Sequence, residues 1–406
     1  MKSSSYSYEQ LRELVANETL PVMLVDLDAF DRNAERFIQT ARSSSKTLRP
    51  ASKSVRVPAL LNRLRELGGD TIRGLMCYSA AEAAFLAERD HDDLLVAYPH
   101  VQLQDVRQTL DLTRRGRSVT LMLDSSEQAE RLARLCQEVA EAPPLRICID
   151  VDASLKKLGQ HFGVQRSSVR GIDGLTNLIR SIKQLPQLQL VGAMTYEAQV
   201  AGLADTSPHQ RLLNPVIRRI KSSSMNWLAE YRQQIRQAFA DENVAMKIFN
   251  GGGSGCLEHS AAHAALTEVT AGSGFLQSHL FDHYALNKCE PALFFALPIT
   301  RIPQADRATC QSGGFIASGA PGPDRPPTVF LPTALSVDGR EGFGEVQTPL
   351  VVPQALQGQL RIGDPVFFRP AKAGEIAERF NEYCLLRDGE IANRVPTYRG
   401  LGQCFF

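Results

Sequence analysis

An excess of charge of either sign is missing from this 406-residue chain: 45 lysines and arginines face 44 aspartates and glutamates, a formal net charge of +1. A nucleic-acid groove needs a basic excess, so that class of partner has little electrostatic support. No apolar run approaches the ~18–20 residues of a membrane span. Met1 to Gln10 is polar and Ser-rich, lacking the basic start and apolar centre of a secretory leader, so a cytoplasmic location is expected. None of the eight cysteines falls in a C-x-x-C pair, which argues against a zinc knot and for free, mostly buried thiols in a reducing compartment. No G-x-G-x-x-G opens the chain and no Lys-Ser/Thr follows its glycine run NGGGSG (250–255), so neither a dinucleotide fingerprint nor a Walker loop is present.

What is there is alternation. Hydrophobic residues make up 43% of the chain, enough for a sizeable core. Short aliphatic runs at 21–28, 48–54, 72–79, 93–98, 118–124, 145–152, 188–196 and 246–253 are separated by amphipathic stretches such as 29–44 and 125–140. Near-continuous apolar runs suit strands buried on both faces of a parallel sheet. Helix starts are readable: Ser79-x-x-Glu82 as a capping box, Asp124 as a cap, Pro58 in a first turn. A long helix is expected around Trp227, the single tryptophan. Eight strand–helix units predict an α/β fold, a (β/α)8 TIM barrel, with an open doubly wound sheet as the alternative. Beyond about residue 290 proline and glycine become dense, as in GAPGPDRPP (319–327), and short strand-like pieces predict a mostly antiparallel β-domain. The expected division is an extension (1–20) packing with the β-domain, a barrel (21–290) and the β-domain (291–406).

Polar residues at the C-terminal ends of barrel strands point into the active-site mouth. Here they are Asp26 and Asp28, Lys53, Tyr78, Tyr98, Asp124, Asp150 and Asp152, Tyr196 with Glu197, and the glycines from Asn250. Lys53 is the one lysine among them, and partial desolvation in a crowded mouth would make its amine nucleophilic. The run NGGGSG ends the last predicted strand and precedes a helix-like stretch, so its backbone N–H groups, with the Ser254 hydroxyl, suit a phosphate. AGSG (271–274) is a second glycine–serine turn that could complete the cup. A lysine and a phosphate cup in one mouth suggest pyridoxal phosphate, which needs a covalent lysine, a phosphate anchor and a partner for its ring nitrogen.

RPASKS (49–54) resembles the Arg-Pro-x-x-Lys segment of the alanine-racemase-like, fold-type III pyridoxal-phosphate enzymes. The similarity is greatest to the branch of D-threonine aldolases, D-serine dehydratases and 3-hydroxyaspartate lyases. VDLDAFDRNAERF (25–37), NGGGSG, TEVTAGSG (267–274) and the run from Gly363 to Ile391 carry the resemblance along most of the chain. More narrowly, the chain resembles a bacterial amino-acid deaminase/aldolase subgroup. The resemblance implies an amino-acid substrate and a homodimer whose mouth the β-domain completes. It makes Lys53 the covalent lysine, Gly252, Gly253 and Ser254 phosphate ligands, Gly272 and Ser273 their helpers, and Tyr196 an active-site tyrosine. The family's Arg-x-Gly-Val after the sixth strand reads His161-Phe162-Gly163-Val164 here, which puts His161 in the arginine's place beside the cofactor.

One departure bears on mechanism. Metal-dependent members place His-x-Cys or His-x-Asp where this chain has Lys372 and Gly374, neither an ordinary ligand. All eight histidines lie at or before His283, so no metal site is expected. The leading expectation is a lyase, aldolase or dehydratase/deaminase, acting on a small D- or β-hydroxy amino acid, with Lys372 supplying positive charge in the metal's place. The alternatives are a racemase using Lys53 and Tyr398 or Tyr383 as opposed bases, and a pyridoxal-phosphate carrier with little turnover.

Overall fold

In the computed structural model, which describes residues 6–157, 159–286 and 288–405, strand and helix alternate through residue 271. Helix α1 (Tyr8–Leu14) is capped by Ser7, and strand β1 (Val22–Asp26) leads directly into α2 (Leu27–Ser43). There follow β2 (Thr47–Pro50), α3 (Pro58–Gly68), β3 (Leu75–Cys77), α4 (Ala80–Ala87), β4 (Leu94–Pro99) and α5 (Leu103–Arg114). Next come β5 (Val119–Leu123), α6 (Ser126–Gln137), β6 (Leu145–Asp150), and a small hairpin of β7 (Leu155–Lys157) and β8 (Gln160–Phe162). The series ends with α7 (Gly171–Lys183), β9 (Leu188–Thr195), α8 (Ala198–Ala201), α9 (Asn214–Asp241), β10 (Ile248–Gly251), α10 (Leu257–Ala261) and β11 (Glu268–Ala271).

Eight of these strands pair in parallel in the order β2-β11-β10-β9-β6-β5-β4-β3. Bridges from Leu48 to Ile72 and from Ala51 to Met76 all but close the ring. The outer helices are amphipathic in the way a barrel requires: α6 buries Ala129, Leu132, Ala133, Leu135 and Cys136, the spacing that puts one stripe on the strands and leaves the charges outside.

The remaining chain forms β12 (Leu293–Gln304), β13 (Arg307–Gln311), β14 (Thr328–Leu331), β15 (Ser336–Val337), β16 (Gln347–Val351), β17 (Pro365–Arg369), β18 (Glu382–Arg387) and β19 (Glu390–Pro396). They make a mostly antiparallel sheet with the main order β15-β16-β13-β12-β1-β18-β19, and β14 pairs with β17. Leu11 of α1 packs into an apolar cluster with Phe294, Phe367 and Cys384, and the Tyr8 hydroxyl donates to the Pro365 carbonyl at 3.1 Å.

Two strand expectations change here. The run at 21–28 does not open the barrel: β1 pairs with β12 and β18 at the centre of the other sheet. Its five residues are all buried, and an apolar run of that length cannot say which sheet buries it. The eighth barrel strand is instead β11, in the TEVTAGSG stretch (267–274), for which no strand was expected. Its Glu268 and Thr270 are buried beside Asn250, whose amide donates to both at 2.8 Å, so the strand's polar side chains hid it from a hydrophobic pattern. The cap of α6 also moves by one residue, to Ser125, whose hydroxyl accepts from the Gln128 N–H at 3.2 Å. The Ser79 cap, Pro58 in the first turn of α3 and the long helix over Trp227 are as expected.

Candidate active site

Lys53 sits in a one-turn 3-10 helix, Ser52–Ser54, directly after β2. Ser52 is fully buried and donates to the Met76 carbonyl at 2.9 Å, while the Arg56 guanidinium donates to the Lys53 carbonyl at 3.1 Å. These bonds fix the backbone of the turn and leave the amine outside it. The Lys53 side chain is therefore exposed at the mouth, not desolvated as its position suggested, and its ammonium donates to the Tyr98 hydroxyl at 2.5 Å.

The glycine cup is built by two loops lying against this turn. Gly252 has φ +98°, a left-handed conformation that other residues rarely adopt. A Cβ on Gly272 would fall 2.7 Å from Ser54 Oγ and 3.1 Å from Ala51 Cβ, so a glycine there lets the loop after β11 lie on the Lys53 turn. Ser254 Oγ accepts from the N–H groups of Gly272 and Gly274 at 3.0 and 2.9 Å, and Ser273 donates to Ser54 Oγ at 3.3 Å. Among the described residues, the N–H groups of Gly253, Ser254, Gly255 and Ser273 have no hydrogen-bond partner. Backbone donors left unpaired together are costly unless a ligand meets them, and together they suit an anion. The helix expected to support the cup is only five residues long, so the donors and not a helix end make this cradle.

Beneath the cup lies a buried network that the strand pattern did not reveal. Glu197 and Arg232 are both fully buried and pair at 2.9 Å. Glu197 also accepts from the Gly252 N–H at 3.0 Å and from the Ser260 hydroxyl, and Arg232 donates to Thr195 Oγ1 at 2.9 Å and His263 Nδ1 at 2.8 Å. Burial works to raise the Glu197 pKa, and Arg232 with the two hydrogen-bond donors reverses it to below the ordinary value. Deeper in the barrel, Arg49 of the RPASKS segment is fully buried and holds Glu268 with Nε at 2.6 Å and Nη2 at 2.8 Å. Burial opposes the Arg49 charge, but the carboxylates of Glu268 and Asp93 outweigh it and raise its pKa.

The rest of the mouth is made of side chains. Tyr196, just past β9, is 37% exposed and borders Gly253, whose added Cβ would lie 3.7 Å from the Tyr196 ring. Asp150, at the end of β6, lies four places round the ring from β2. Desolvation, followed by the charges of Asp124 and Asp152, pushes its pKa up to about 7. His161 stands on the hairpin after β6, its Nε2 buried and without a partner among the described residues. Among the described residues, no hydrogen bond joins its Nε2 to the cup. Arg166, four residues past Phe162, is exposed and close enough to act on the charges of both Asp150 and Tyr196, so an arginine is present at this arc though not in the expected place.

The segment carrying Lys372 reaches the site by its backbone. A Cβ on Gly374 would lie 1.7 Å from the Lys53 carbonyl oxygen and 2.9 Å from Ser54 Cα, so this loop is closed down on the Lys53 turn. Lys372 donates to the Ser318 carbonyl and hydroxyl at 2.7 and 2.9 Å and pairs with Glu375 at 3.6 Å. The divalent ion implied for the branch does not fit these residues. One of its two positions is an ammonium already bonded to Ser318, and the other has no side chain and no room for one. Among the described residues, no group of three or more His, Cys, Asp or Glu is arranged to hold a metal.

A family model described as "Alanine racemase, N-terminal domain" matches residues 25–279. The chain belongs to that family. The family and its D-threonine aldolase branch use pyridoxal phosphate. Among curated proteins, a D-threonine aldolase from Arthrobacter sp is 22% identical over 323 residues, 78% of this chain and 76% of the relative. A 3-hydroxy-D-aspartate aldolase from Paracoccus denitrificans (strain Pd 1222) is 20% identical over 253 residues, 62% of this chain; the chain spans 59% of that relative's length. Among solved structures, D-threonine aldolase from Filomicrobium marinum superposes with TM-score 0.79 at 19% identity, covering 95% of this chain and 97% of that one. D-threo-3-hydroxyaspartate dehydratase from Delftia sp. HT23 gives 0.75 at 19% identity, covering 94% and 98%. At such identities the structural likeness speaks for the fold, a barrel joined to an antiparallel sheet. The cofactor fits the site on this chain's own geometry: four unpaired N–H groups for a phosphate, and one exposed lysine amine on the adjoining turn.

Proposed function

We propose that this protein is a pyridoxal-phosphate-dependent lyase that cleaves or dehydrates a small D- or β-hydroxy amino acid without a divalent metal. In this reading Lys53 carries the cofactor. Gly252, Gly253 and Ser254, with Gly272 and Ser273, form its phosphate cup, and Tyr196 and His161 are the neighbours of its ring. The observation that carries the reading is the stapling of the Lys53 turn onto a cup of unpaired donors. Bound there, pyridoxal phosphate withdraws electrons from the Cα of an attached amino acid and weakens the bonds around it.

The chain's own residues then divide the remaining work. The cup fixes the phosphate and so the plane of the ring, and Lys53 gives and takes a proton beside the Cα. Asp150, with a pKa about 7, can hold or release a proton on the far side of the mouth, near the operating pH where acid–base catalysis is most efficient. A lyase fits better than a racemase because Tyr398 and Tyr383 are buried, the first with its hydroxyl on Glu82 at 2.9 Å. Neither is free to act as this chain's second base. Lys372 serves in this reading by clamping the 370–376 loop over the Lys53 turn, its charge standing near the position a metal holds in the branch. A homodimer in the cytoplasm belongs to the same reading.

Borohydride reduction of the holoenzyme followed by peptide mapping tests it: the cofactor should be fixed on Lys53, and label on another lysine overturns the assignment. Keto acid or aldehyde released from a panel of D- and β-hydroxy amino acids, in the presence of chelator, supports the lyase reading. Chirality exchange without cleavage would favour the racemase.

A further inference from the structure

Tyr98 stood among the strand-end residues without a role, and the structure gives it one. The Lys53 ammonium donates to its hydroxyl at 2.5 Å and lies 5.3 Å from its ring centroid, so the contact is to the oxygen more than to the ring face. Among the described residues this is the one hydrogen bond made by either group. The aim of Tyr98 is set by the backbone. In the pairing of β4 with β5, Val96 faces Leu121 but Pro99 faces Met122, so the register slips across Ala97 and Tyr98. A bulge of this kind redirects the side chain it carries, and bulges gather at barrel rims beside active sites. Below the rim the ring packs against the apolar cluster of Leu95, Ala97, Met122 and Cys148, which holds the phenol at the height of the Lys53 amine.

We propose that Tyr98 is a positioning residue that holds the Lys53 amine whenever it is not bonded to the cofactor; this rests on the reading of Lys53 given above. Each turnover exchanges the lysine amine for the substrate's amino group, and must then return it. In the interval a four-carbon side chain exposed at the mouth has many rotamers open to it, and the hydrogen bond to Tyr98 selects one that stays within the site. The phenol keeps the amine from drifting into solvent, and lets it act on the Cα as base and then reattach.

Tyr98→Phe tests this, since it removes the oxygen and keeps the ring. The first measurement is reduction and peptide mapping of the wild-type holoenzyme: cofactor found elsewhere than Lys53 ends the underlying reading, whatever the variant does. With Lys53 confirmed, cofactor-free protein is mixed with pyridoxal phosphate and covalent attachment is followed by absorbance. The variant should reach the same final occupancy and melt at the same temperature, but attach about tenfold more slowly, as expected for loss of one charge-assisted hydrogen bond. Its kcat should fall by a similar factor with KM unchanged. Attachment and kcat at wild-type rates, or a loss confined to KM, would overturn the proposal.

Discussion

The two arcs of the barrel mouth are built from different material. Around β2, β10 and β11 the surface is backbone: Ser254 ties the Gly272 and Gly274 N–H groups, Gly272 lies on the Lys53 turn, and Glu197 holds Gly252 from below. Around β4, β5 and β6 it is side chain, with Tyr98, Asp124 and Asp150 at or just past the strand ends. The first arc suits a group that every turnover shares, a phosphate whose shape does not vary. The second suits what changes during turnover, protons and the amine of Lys53. A backbone arc is rigid but depends on what supports it; a side-chain arc tolerates substitution in the fold but not in the chemistry.

The largest effect should follow from removing support beneath the backbone arc. Arg232→Ala leaves Glu197 fully buried without its cation, a loss of about 3–5 kcal/mol. Thermal denaturation should show a drop of many degrees, and cofactor affinity should fall with it because Gly252 loses its anchor. Next comes Ser254→Ala, which strands two N–H donors. Stability should change by about 1–3 kcal/mol, and cofactor affinity in a spectroscopic titration by roughly tenfold or more. An unchanged affinity would place the phosphate elsewhere and dissolve the contrast between the arcs.

On the side-chain arc, Asp150→Asn should leave the cofactor spectrum intact and alter pH dependence. The Asp150 carboxyl binds its proton more tightly in the folded chain, with a pKa about 7 against an ordinary 3.8. Folding therefore loses stability as pH rises from about 4 to about 7. The variant should gain a few kcal/mol, up to about 4, over wild type above pH 7 and nothing below pH 4. If Asp150 moves a proton in the reaction, the pH–rate profile of the variant also loses its limb near neutrality. The smallest effect belongs to Lys372→Ala. Its pair with Glu375 is about one-third exposed at each partner, worth under ~1 kcal/mol. A rate loss beyond tenfold with the cofactor spectrum unchanged would give this lysine a part in the chemistry beyond its clamp.

Much of this was legible from residue order. Seven of the eight parallel strands, the antiparallel region after 290 and the position of the glycine run at the end of a strand all follow from local patterns. What escaped did so for identifiable reasons. β11 carries Glu268 and Thr270 toward buried partners, so it lacks the near-continuous apolar run by which the other barrel strands are read, and only Arg49 and Asn250, distant in sequence, make those residues tolerable inside. β1 has the right pattern for either sheet. Arg232 lies in the middle of α9, where an arginine ordinarily faces solvent, and nothing nearby announces that Glu197, 35 residues earlier, waits for it.

The sequence by itself determined where the backbone could form a cup, because glycines at 252, 253 and 272 permit turns and close approaches that other residues forbid. It could also show that positions 372 and 374 offer no metal ligands. Only the tertiary structure decided that Gly374 closes onto the carbonyl of Lys53, that the Lys53 amine is exposed, and that Tyr98 receives it. The first depends on a contact between Gly374 and Lys53, far apart in the chain, and the last on one across 45 positions. Side-chain burial and aim are set by whatever elements happen to pack there, and no local pattern of residues records that.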